Sequence, residues 1–313
     1  MVELESMPVS KVAYVFPGQG SQAVGMGYEL YRGSLEARQV FEQADEALQA
    51  PLSRLCFEGP EDELRETINA QPAILTASVA CLRAVADFNG AVKPAFVAGH
   101  SLGEYTALVA AGVLGFADAV RVVRERGRLM QEAGRQKPGG MAAIIGLDEE
   151  SLEEVCLETG AQIANINCAG QIVISGTREQ LARSMDLAKT RGARRVVPLQ
   201  VSGAFHSTLM EPAMAGMAQA ISQLNFRPAE IPIVANSTAK PVTTAEEVKG
   251  ELLQQLCHCV QWQPSVEYMV GVGVTTFIEV GPGQVLSGLI KRISNEVRIL
   301  SMSDPESIKA ADL

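Results

Sequence analysis

One short segment near position 100 limits the possible folds of this chain more than any other. The β-rich run 96–99 leads into Gly99-His-Ser-Leu-Gly103, and an apolar helical pattern follows at once as far as position 111. A strand that turns into a helix through Gly-x-Ser-x-Gly is a nucleophile elbow, in which both glycines relieve crowding and leave the serine hydroxyl exposed. The pattern predicts an α/β fold in which Ser101 lies at a helix N-terminus, where free N–H groups favour negative charge.

The same residues also have an interpretation as a helix cap. Ser101-x-x-Glu104 before an apolar run is the pattern of a capping box, in which the serine only satisfies backbone donors. Capping does not call for glycine on both sides of the serine, so the pattern favours a nucleophile. The motif alone leaves hydrolase and transferase undecided.

The rest of the chain extends the α/β prediction. Short β-rich runs alternate with longer helical patterns from the apolar run 12–16 onward, which is typical of a largely parallel sheet. The order changes in the middle of the chain to strand 141–145, helix 149–158, strands 162–166 and 171–175, helix 178–190 and strand 195–199. This βαββαβ order is that of a ferredoxin-like domain.

We therefore predict two domains. A discontinuous hydrolase-like domain with a mostly parallel sheet covers 11–134 and 206–302, and a smaller ferredoxin-like domain is inserted over 135–205. We expect flexible tails at 1–10 and 303–313, and either Met1 or Met7 as the first residue.

Composition excludes several classes of protein. The chain has 313 residues and a net charge of −10, which opposes nonspecific binding to nucleic acid or anionic membranes. It has no run of about 18 apolar residues, and its acidic N-terminus is unlike a secretory signal, so we expect a cytoplasmic protein that does not enter membranes. We also expect a monomer. The six cysteines lack the spacing of a disulfide scaffold or a metal site, which predicts reduced thiols and no metal centre.

A nucleophilic serine needs a general base within hydrogen-bond reach, and that base is most often histidine. His100 is adjacent to Ser101, so its side chain is expected to point to the opposite side, and His258 lies in a helical run without a glycine-rich loop. His206 lies between the strand-like run 201–205 and a predicted helix, in the kind of loop where α/β enzymes assemble their sites. We therefore predict that His206 is the base.

A glycine-rich turn, 17–22, follows the first predicted strand. It lacks the Lys-Ser/Thr ending of a phosphate loop. Backbone N–H groups from this turn could form half of an oxyanion hole, with the N–H of Leu102 as the other half. A plain turn is the alternative.

An arginine-rich helical pattern covers 116–133. Arg126 is in register with its apolar stripe, whereas Arg121, Arg124 and Arg128 share a face that we expect to be solvated. A guanidinium on an apolar face demands an anionic partner, because an unpaired buried charge is strongly destabilising. That partner is either an internal Asp or Glu or the carboxylate of a substrate held by a bidentate pair.

Five motifs in order resemble those of one known family over nearly the whole chain. They are Phe16-Pro-Gly-Gln-Gly-Ser-Gln22, Gly99-His-Ser-Leu-Gly-Glu104, the helix around Arg126, Gly203-Ala-Phe-His206 and Glu279-Val-Gly-Pro-Gly283. The chain resembles the malonyl-CoA:acyl carrier protein transacylases of bacterial fatty-acid synthesis. The resemblance implies transfer of malonyl from malonyl-CoA to the phosphopantetheine thiol of acyl carrier protein, without a cofactor.

The resemblance also implies a catalytic role for each matching residue. Ser101 would carry the acyl group and His206 would be the base. The backbone N–H groups of Gln19 and Leu102 would form the oxyanion hole. A main-chain carbonyl at Gln255 would orient the histidine, which would explain why no acidic third member stands out.

On the substrate side, the resemblance makes Arg126 the clamp for the malonyl carboxylate. In related polyketide acyltransferases an aromatic residue before the catalytic histidine accompanies malonyl selection, and Phe205 has that position here. The chain departs from many members at Asn167-Cys-Ala-Gly170, where they carry Asn-Ser-Pro-Gly. That departure concerns the wall of the small domain.

An acidic enzyme needs a local basic surface to dock an acidic carrier protein. We expect that surface at Lys189, Arg191, Arg194 and Arg195, although basic residues also complement a helix C-terminus without any partner. A serine hydrolase or thioesterase and a noncatalytic carrier-binding subunit are the alternative functions. The sequence leaves open whether the carrier belongs to fatty-acid or polyketide synthesis.

Overall fold

A mostly parallel sheet forms the centre of the large domain in this computed structural model, which describes residues 11–89 and 92–311. Its strands are β1 (Lys11–Phe16), β2 (Phe96–Gly99), β7 (Ile233–Val234), β8 (Pro241–Val242), β9 (Val274–Val280) and β10 (Arg298–Met302). Their order in the sheet is β10-β9-β1-β2-β7-β8, and only the β7–β8 pair is antiparallel. The α/β prediction is confirmed.

Helices cover both faces of this sheet. The helices before the insertion are α1 (Tyr28–Gly33), α2 (Leu35–Leu48), α3 (Leu52–Glu58), α4 (Glu61–Arg65), α5 (Thr67–Asn89), α6 (Gly103–Ala110) and α7 (Phe116–Gln136). Those after it are α10 (Glu211–Ser222), α11 (Ala245–Gln254), α12 (Trp262–Gly271), α13 (Val285–Ile293) and α14 (Pro305–Ala310), with a 3-10 turn at Thr208–Met210. Along β1, Tyr14 and Phe16 pack into one apolar cluster with α2, α5, α6 and α7, while Ala13 and Val15 pack into a second cluster with α12 and α13.

The inserted segment folds as a separate antiparallel sheet. Its elements are β3 (Gly139–Ile145), α8 (Glu149–Thr159), β4 (Gln162–Cys168), β5 (Gln171–Thr177), α9 (Arg178–Thr190) and β6 (Arg195–Pro198). The strand order β4-β5-β3-β6 is that of a ferredoxin-like βαββαβ unit, as predicted. The domain boundaries after 134 and 205 stay a prediction.

The central helix α5 is unusually apolar. One segment of it, Thr67–Asp87, is long and apolar enough to cross a membrane, and 83% of that segment is buried inside the protein. The core helix of a globular domain can have the same length and apolar composition, and α5 packs between α2 and α7.

Two expectations fail in the described residues. The prediction of a flexible tail from 303 is wrong for residues 303–311, because Asp304 caps α14 and Ile308 of that helix is fully buried against the core. The run 201–205 forms no strand, and His206 therefore follows an irregular loop. The tail 1–10, with both possible starts, and residues 312–313 lie outside the described residues.

Candidate active site

The turn between β2 and α6 has the geometry of a nucleophile elbow. Ser101 has a φ of 51°, in the left-handed region that non-glycine residues rarely adopt. A Cβ on Gly99 would lie 1.9 Å from the carbonyl carbon of Gly103, and one on Gly103 would lie 2.0 Å from the carbonyl oxygen of Phe16. Both glycines are therefore required by close backbone approach. Helix α6 has no side-chain cap, which excludes the capping interpretation of Ser101.

Ser101 and His206 form a hydrogen-bonded pair. The Ser101 Oγ lies 2.8 Å from Nε2 of His206, and Nδ1 of the same ring lies 2.8 Å from the main-chain carbonyl of Gln255. The carbonyl can only accept, so Nδ1 carries the proton and Nε2 is free to accept the serine hydroxyl proton. His206 itself has a φ of 56° in the left-handed region, as expected where backbone strain is retained at a site.

The environment of His206 favours the neutral ring. The side chain is 4% exposed. Burial, followed by the nearby positive charge of Arg126, lowers the pKa of His206 to about 3. A histidine with so low a pKa is unprotonated at neutral pH, which is the state a general base requires.

The other two histidines are directed elsewhere. The His100 ring lies 2.9 Å from Oδ1 of Asn167 on β4 and packs near Trp262, so its described hydrogen bond is with the small domain and not with the serine hydroxyl. His258 contacts the carbonyl of Gln254 one turn earlier in its own segment. Asn167 is the first residue of the segment 167–170, in which the next two residues depart from the family pattern.

Arg126 is buried against the serine. It is 1% exposed, its Nη2 donates to the Ser101 Oγ at 3.2 Å, and its guanidinium carbon lies 5.5 Å from the centre of the Tyr105 ring. Its other acceptors are amide oxygens, Gln71 Oε1 at 2.6 Å and Gln255 Oε1 at 2.7 Å. No carboxylate within the described residues forms an ion pair with it, and its Nε–H has no acceptor among them. The internal Asp or Glu expected as one alternative is therefore not its direct partner.

The predicted solvated face of α7 is correct for Arg121 and Arg128, which are exposed and pair with Asp118 and Glu125. Arg124 differs, because it is half-buried and donates to Oδ1 of Asn69 at 2.5 Å.

A chain of hydrogen bonds connects the glycine-rich turn to Arg126. Thr67 Oγ1 donates to Oε1 of Gln19, Nε2 of Gln71 donates to Thr67 Oγ1, and Arg126 donates to Oε1 of Gln71. The main-chain N–H groups of Gln19 and Leu102 line the same cavity, and neither has an acceptor within the described chain. Both are available to an oxyanion.

The pair lies in a cavity of about 490 Å³ between the two sheets. Phe205, Met130 and Met141 supply an apolar wall, while the turn at Gly18 and the segment at Gln200 form other parts of the lining. A Cβ on Gly18 would lie 2.4 Å from the carbonyl oxygen of His100, which explains a glycine in this turn.

The Glu279-Val-Gly-Pro-Gly283 motif has a structural basis. The Glu279 carboxylate is fully buried and accepts from the N–H groups of Leu286 and Ser287 at the start of α13. This fixes the helix that brings Val285 and Leu289 to the cavity.

The four predicted docking residues have different surroundings. Lys189 pairs with Asp186, and Arg191 pairs with two acidic residues of α8, Glu154 and Glu158. Arg194 and Arg195 are exposed and form no ion pair within the described chain. None of the four lines the cavity, but residues 199–201, which follow β6, do.

Sequence reasoning missed three residues that contact the site directly. Gln71 binds Arg126, Asn236 Oδ1 accepts from the N–H of Ser101 at 2.7 Å, and Glu104 contacts both Asn236 and Gln255. Polar side chains in apolar helical runs, Gln71 in α5 and Glu104 in α6, were the available signals.

Comparison with known proteins agrees with this geometry. The acyl transferase domain family matches residues 13–306. A malonyl CoA-acyl carrier protein transacylase of Bacillus subtilis (strain 168) is 47% identical over 97% of this chain and 96% of its own length. The crystal structure of an acyl-carrier-protein-S-malonyltransferase from Bartonella henselae superposes with a TM-score of 0.93 at 43% identity, covering 96% of this chain and 98% of that one.

A further solved structure contains a partner. It is a malonyl-transacylase in complex with a type II PKS acyl-carrier protein, with a TM-score of 0.92 at 42% identity over 96% of this chain and 98% of that chain. These similarities extend over nearly the full chain, and they agree with the five motifs and with the serine–histidine pair beside a buried arginine. The chain therefore belongs to the malonyl-CoA:acyl carrier protein transacylase family of acyltransferases.

Proposed function

We propose that this enzyme transfers malonyl from malonyl-CoA to the phosphopantetheine thiol of acyl carrier protein in two half-reactions through a malonyl-Ser101 ester. One observation carries the proposal: a single oxygen, Ser101 Oγ, is within hydrogen-bond distance of both His206 Nε2 and the Arg126 guanidinium. The base and the clamp for a carboxylated acyl group thus meet at the nucleophile.

In the first half-reaction, Ser101 Oγ attacks the thioester carbonyl of malonyl-CoA while its proton passes to Nε2 of His206. The N–H groups of Gln19 and Leu102 donate to the oxyanion. The tetrahedral intermediate collapses, the carbon–sulfur bond breaks, and the proton on His206 passes to the departing CoA thiolate. The malonyl ester of Ser101 remains.

In the second half-reaction, the carrier thiol occupies the place that CoA has left. His206 takes the thiol proton, the sulfur attacks the ester carbonyl, and the Ser101 oxygen leaves with the proton from His206. The Gln255 carbonyl holds the ring through Nδ1 in both directions. Over both half-reactions the carrier thiol loses one proton and CoA gains one, so Ser101 and His206 are regenerated and the reaction needs no cofactor.

Arg126 selects the acyl group in this proposal. A malonyl carboxylate would replace the weak contact with Ser101 Oγ and supply the anion that the buried guanidinium lacks, including an acceptor for its free Nε–H. The Phe205 ring in the cavity wall would crowd an α-methyl group, which favours malonyl over methylmalonyl.

We place the reaction in the cytoplasm, with the enzyme acting as a monomer. The carrier docks at Arg194 and Arg195 in this proposal, since these two exposed charges form no ion pair within the described residues. Lys189 and Arg191 contribute less, because acidic neighbours already neutralise them.

The first test is intact-mass analysis after mixing the enzyme with malonyl-CoA alone. We expect a stable malonyl adduct that disappears when carrier protein is added, and no adduct with Ser101→Ala, whose turnover falls by several orders of magnitude. An adduct on Ser101→Ala would disprove the nucleophile. Release of free malonate without carrier would indicate a hydrolase instead.

A further inference from the structure

A buried carboxyl group lies beneath the elbow and takes no part in the proton transfers above. Glu104, the second residue of α6, is 1% exposed. Its Oε1 accepts from the main-chain N–H of Asn236 at 2.9 Å and from the Asn236 amide at 3.3 Å. Its Oε2 accepts from Nε2 of Gln255 in a short hydrogen bond. Every described contact of this carboxyl is with a donor.

Two acceptors determine which way round the Gln255 amide lies. The carbonyl of Ser101 can only accept, so the NH2 group of Gln255 must face it, at 2.9 Å, and the same NH2 group donates to Oε2 of Glu104. The amide oxygen of Gln255 consequently faces Arg126 and accepts from Nη2 at 2.7 Å. The reversed amide would place two donors against each other at Arg126.

The spacing also keeps the guanidinium available. Glu104 is one amide away from Arg126, so it orients the arginine without forming a direct ion pair that would compete with an incoming carboxylate. Asn236, held by the same carboxyl, accepts from the N–H of Ser101 and donates to the carbonyl of Gly99 at 2.7 Å. One side chain thus supports the elbow and the arginine together.

We propose that Glu104 is a positioning residue that sets acyl selectivity, because it fixes the Gln255 amide that aims Arg126 at the malonyl carboxylate. This inference rests on the proposed role of Arg126. Glu104 touches neither substrate nor reacting atoms, so its loss should affect malonyl transfer more than the chemistry of an acyl group that has no carboxylate.

The test compares Ser101 acylation by malonyl-CoA and by acetyl-CoA in Glu104→Gln. The new amide must present a donor to Asn236 or to Gln255, so we expect the malonyl-to-acetyl ratio of kcat/KM to fall about tenfold or more. This change has the same direction as in Arg126→Ala, where loss of the guanidinium favours the neutral acyl group. The ratio does not depend on the folded fraction, because only folded enzyme acylates from either donor.

Two further variants separate positioning from packing. Glu279→Gln makes the same exchange in another fully buried carboxyl, which accepts two N–H groups of α13 and has no described contact with Arg126 or Gln255. We expect it to lower stability and the acylation rate from both donors, because α13 lines the cavity, while leaving the ratio unchanged. Glu104→Asp keeps an acceptor with a shorter reach, so its ratio should fall less than that of Glu104→Gln.

Each outcome decides the matter. An unchanged ratio in Glu104→Gln, beside a reduced ratio in Arg126→Ala, overturns the positioning role and leaves the proposed function intact. An unchanged ratio in Arg126→Ala refutes the carboxylate clamp and the positioning role with it. Equal falls in Glu104→Gln and Glu279→Gln would mean that Glu104 acts through packing alone.

Discussion

At the scale of single residues, the site is built around a positive charge that no carboxylate of residues 11–89 and 92–311 neutralises directly. Arg126 is held by the amide oxygens of Gln71 and Gln255, which can accept its hydrogen bonds without removing its charge. That charge has a second consequence, since it acts on His206 through a largely dehydrated interior. In the proposed mechanism, substrate selection and the protonation state of His206 therefore depend on the same side chain.

This coupling predicts how the histidine titrates. Burial and Arg126 lower the pKa of His206 to about 3, so the ring should remain neutral from about pH 5 to pH 8. In Arg126→Ala the repulsion is gone while burial remains, so the pKa should rise and the ring should take up its proton at a higher pH than in the wild type. Histidine ¹⁵N chemical shifts followed by NMR as the pH is lowered would measure both values.

The matched control for this titration is Arg121→Ala, which removes an exposed arginine from the same helix and should leave His206 unchanged. A wild-type His206 that titrates near 6.5, or a value that Arg126→Ala fails to raise, would contradict the electrostatic account.

At the scale of secondary structure, the sequence patterns located most elements that position the site. The predicted strand 96–99 and the predicted helix from 116 begin where β2 and α7 begin, and the ferredoxin-like order was readable because each element has a clear apolar period. Helix α14 was missed because it has six residues and one fully buried side chain, Ile308, too short a pattern to detect.

The elbow is the element whose sequence requirement is most direct, which makes it testable. In Gly103→Ala the new Cβ meets the backbone oxygen of Phe16 at 2.0 Å, and neither backbone can move without disturbing β1 or Ser101. We expect a loss of about 1–3 kcal/mol in the free energy of unfolding and a severe loss of adduct formation. Thermal unfolding and intact-mass analysis measure the two effects.

A matched glycine in α11 serves as the control. Gly250 has open space around its Cβ position, so Gly250→Ala should gain about 0.4–1 kcal/mol and form the adduct normally. If Gly103→Ala is as stable and as reactive as the wild type, the close approach does not constrain the elbow.

At the scale of the whole molecule, the site needs parts that lie far apart in sequence. The proposed nucleophile comes from the turn between β2 and α6, the arginine from α7, the proposed base from the loop after the inserted domain, and the carbonyl that orients it from the end of α11. Motifs reveal residues that local geometry marks, such as Ser101 between its glycines. They do not reveal Asn236 or Glu104 as partners, because 132 residues separate the two and only the folded sheet brings them together.

The net charge of the whole molecule limits where an acidic carrier protein can dock. With a net charge of −10, the enzyme repels an acidic carrier except where positive charge is locally exposed, and Arg194 and Arg195 are exposed without an ion pair in the described chain. The double variant Arg194→Glu/Arg195→Glu should weaken transfer from malonyl-Ser101 to carrier protein, most strongly at low ionic strength, because salt screens exposed charges. Malonylation by malonyl-CoA should change little, since neither arginine lines the cavity.

The charge-matched control is Arg178→Glu/Arg183→Glu, which reverses two exposed arginines of α9 in the same small domain and changes the net charge equally. Single-turnover transfer, measured for both double variants over a range of salt concentrations, separates a local docking surface from a general charge effect. A local surface predicts that only the Arg194 and Arg195 reversal slows transfer, because docking depends on where the charge lies. Equal slowing in both variants would assign the effect to net charge, and a parallel loss of both half-reactions would place the damage in the active site.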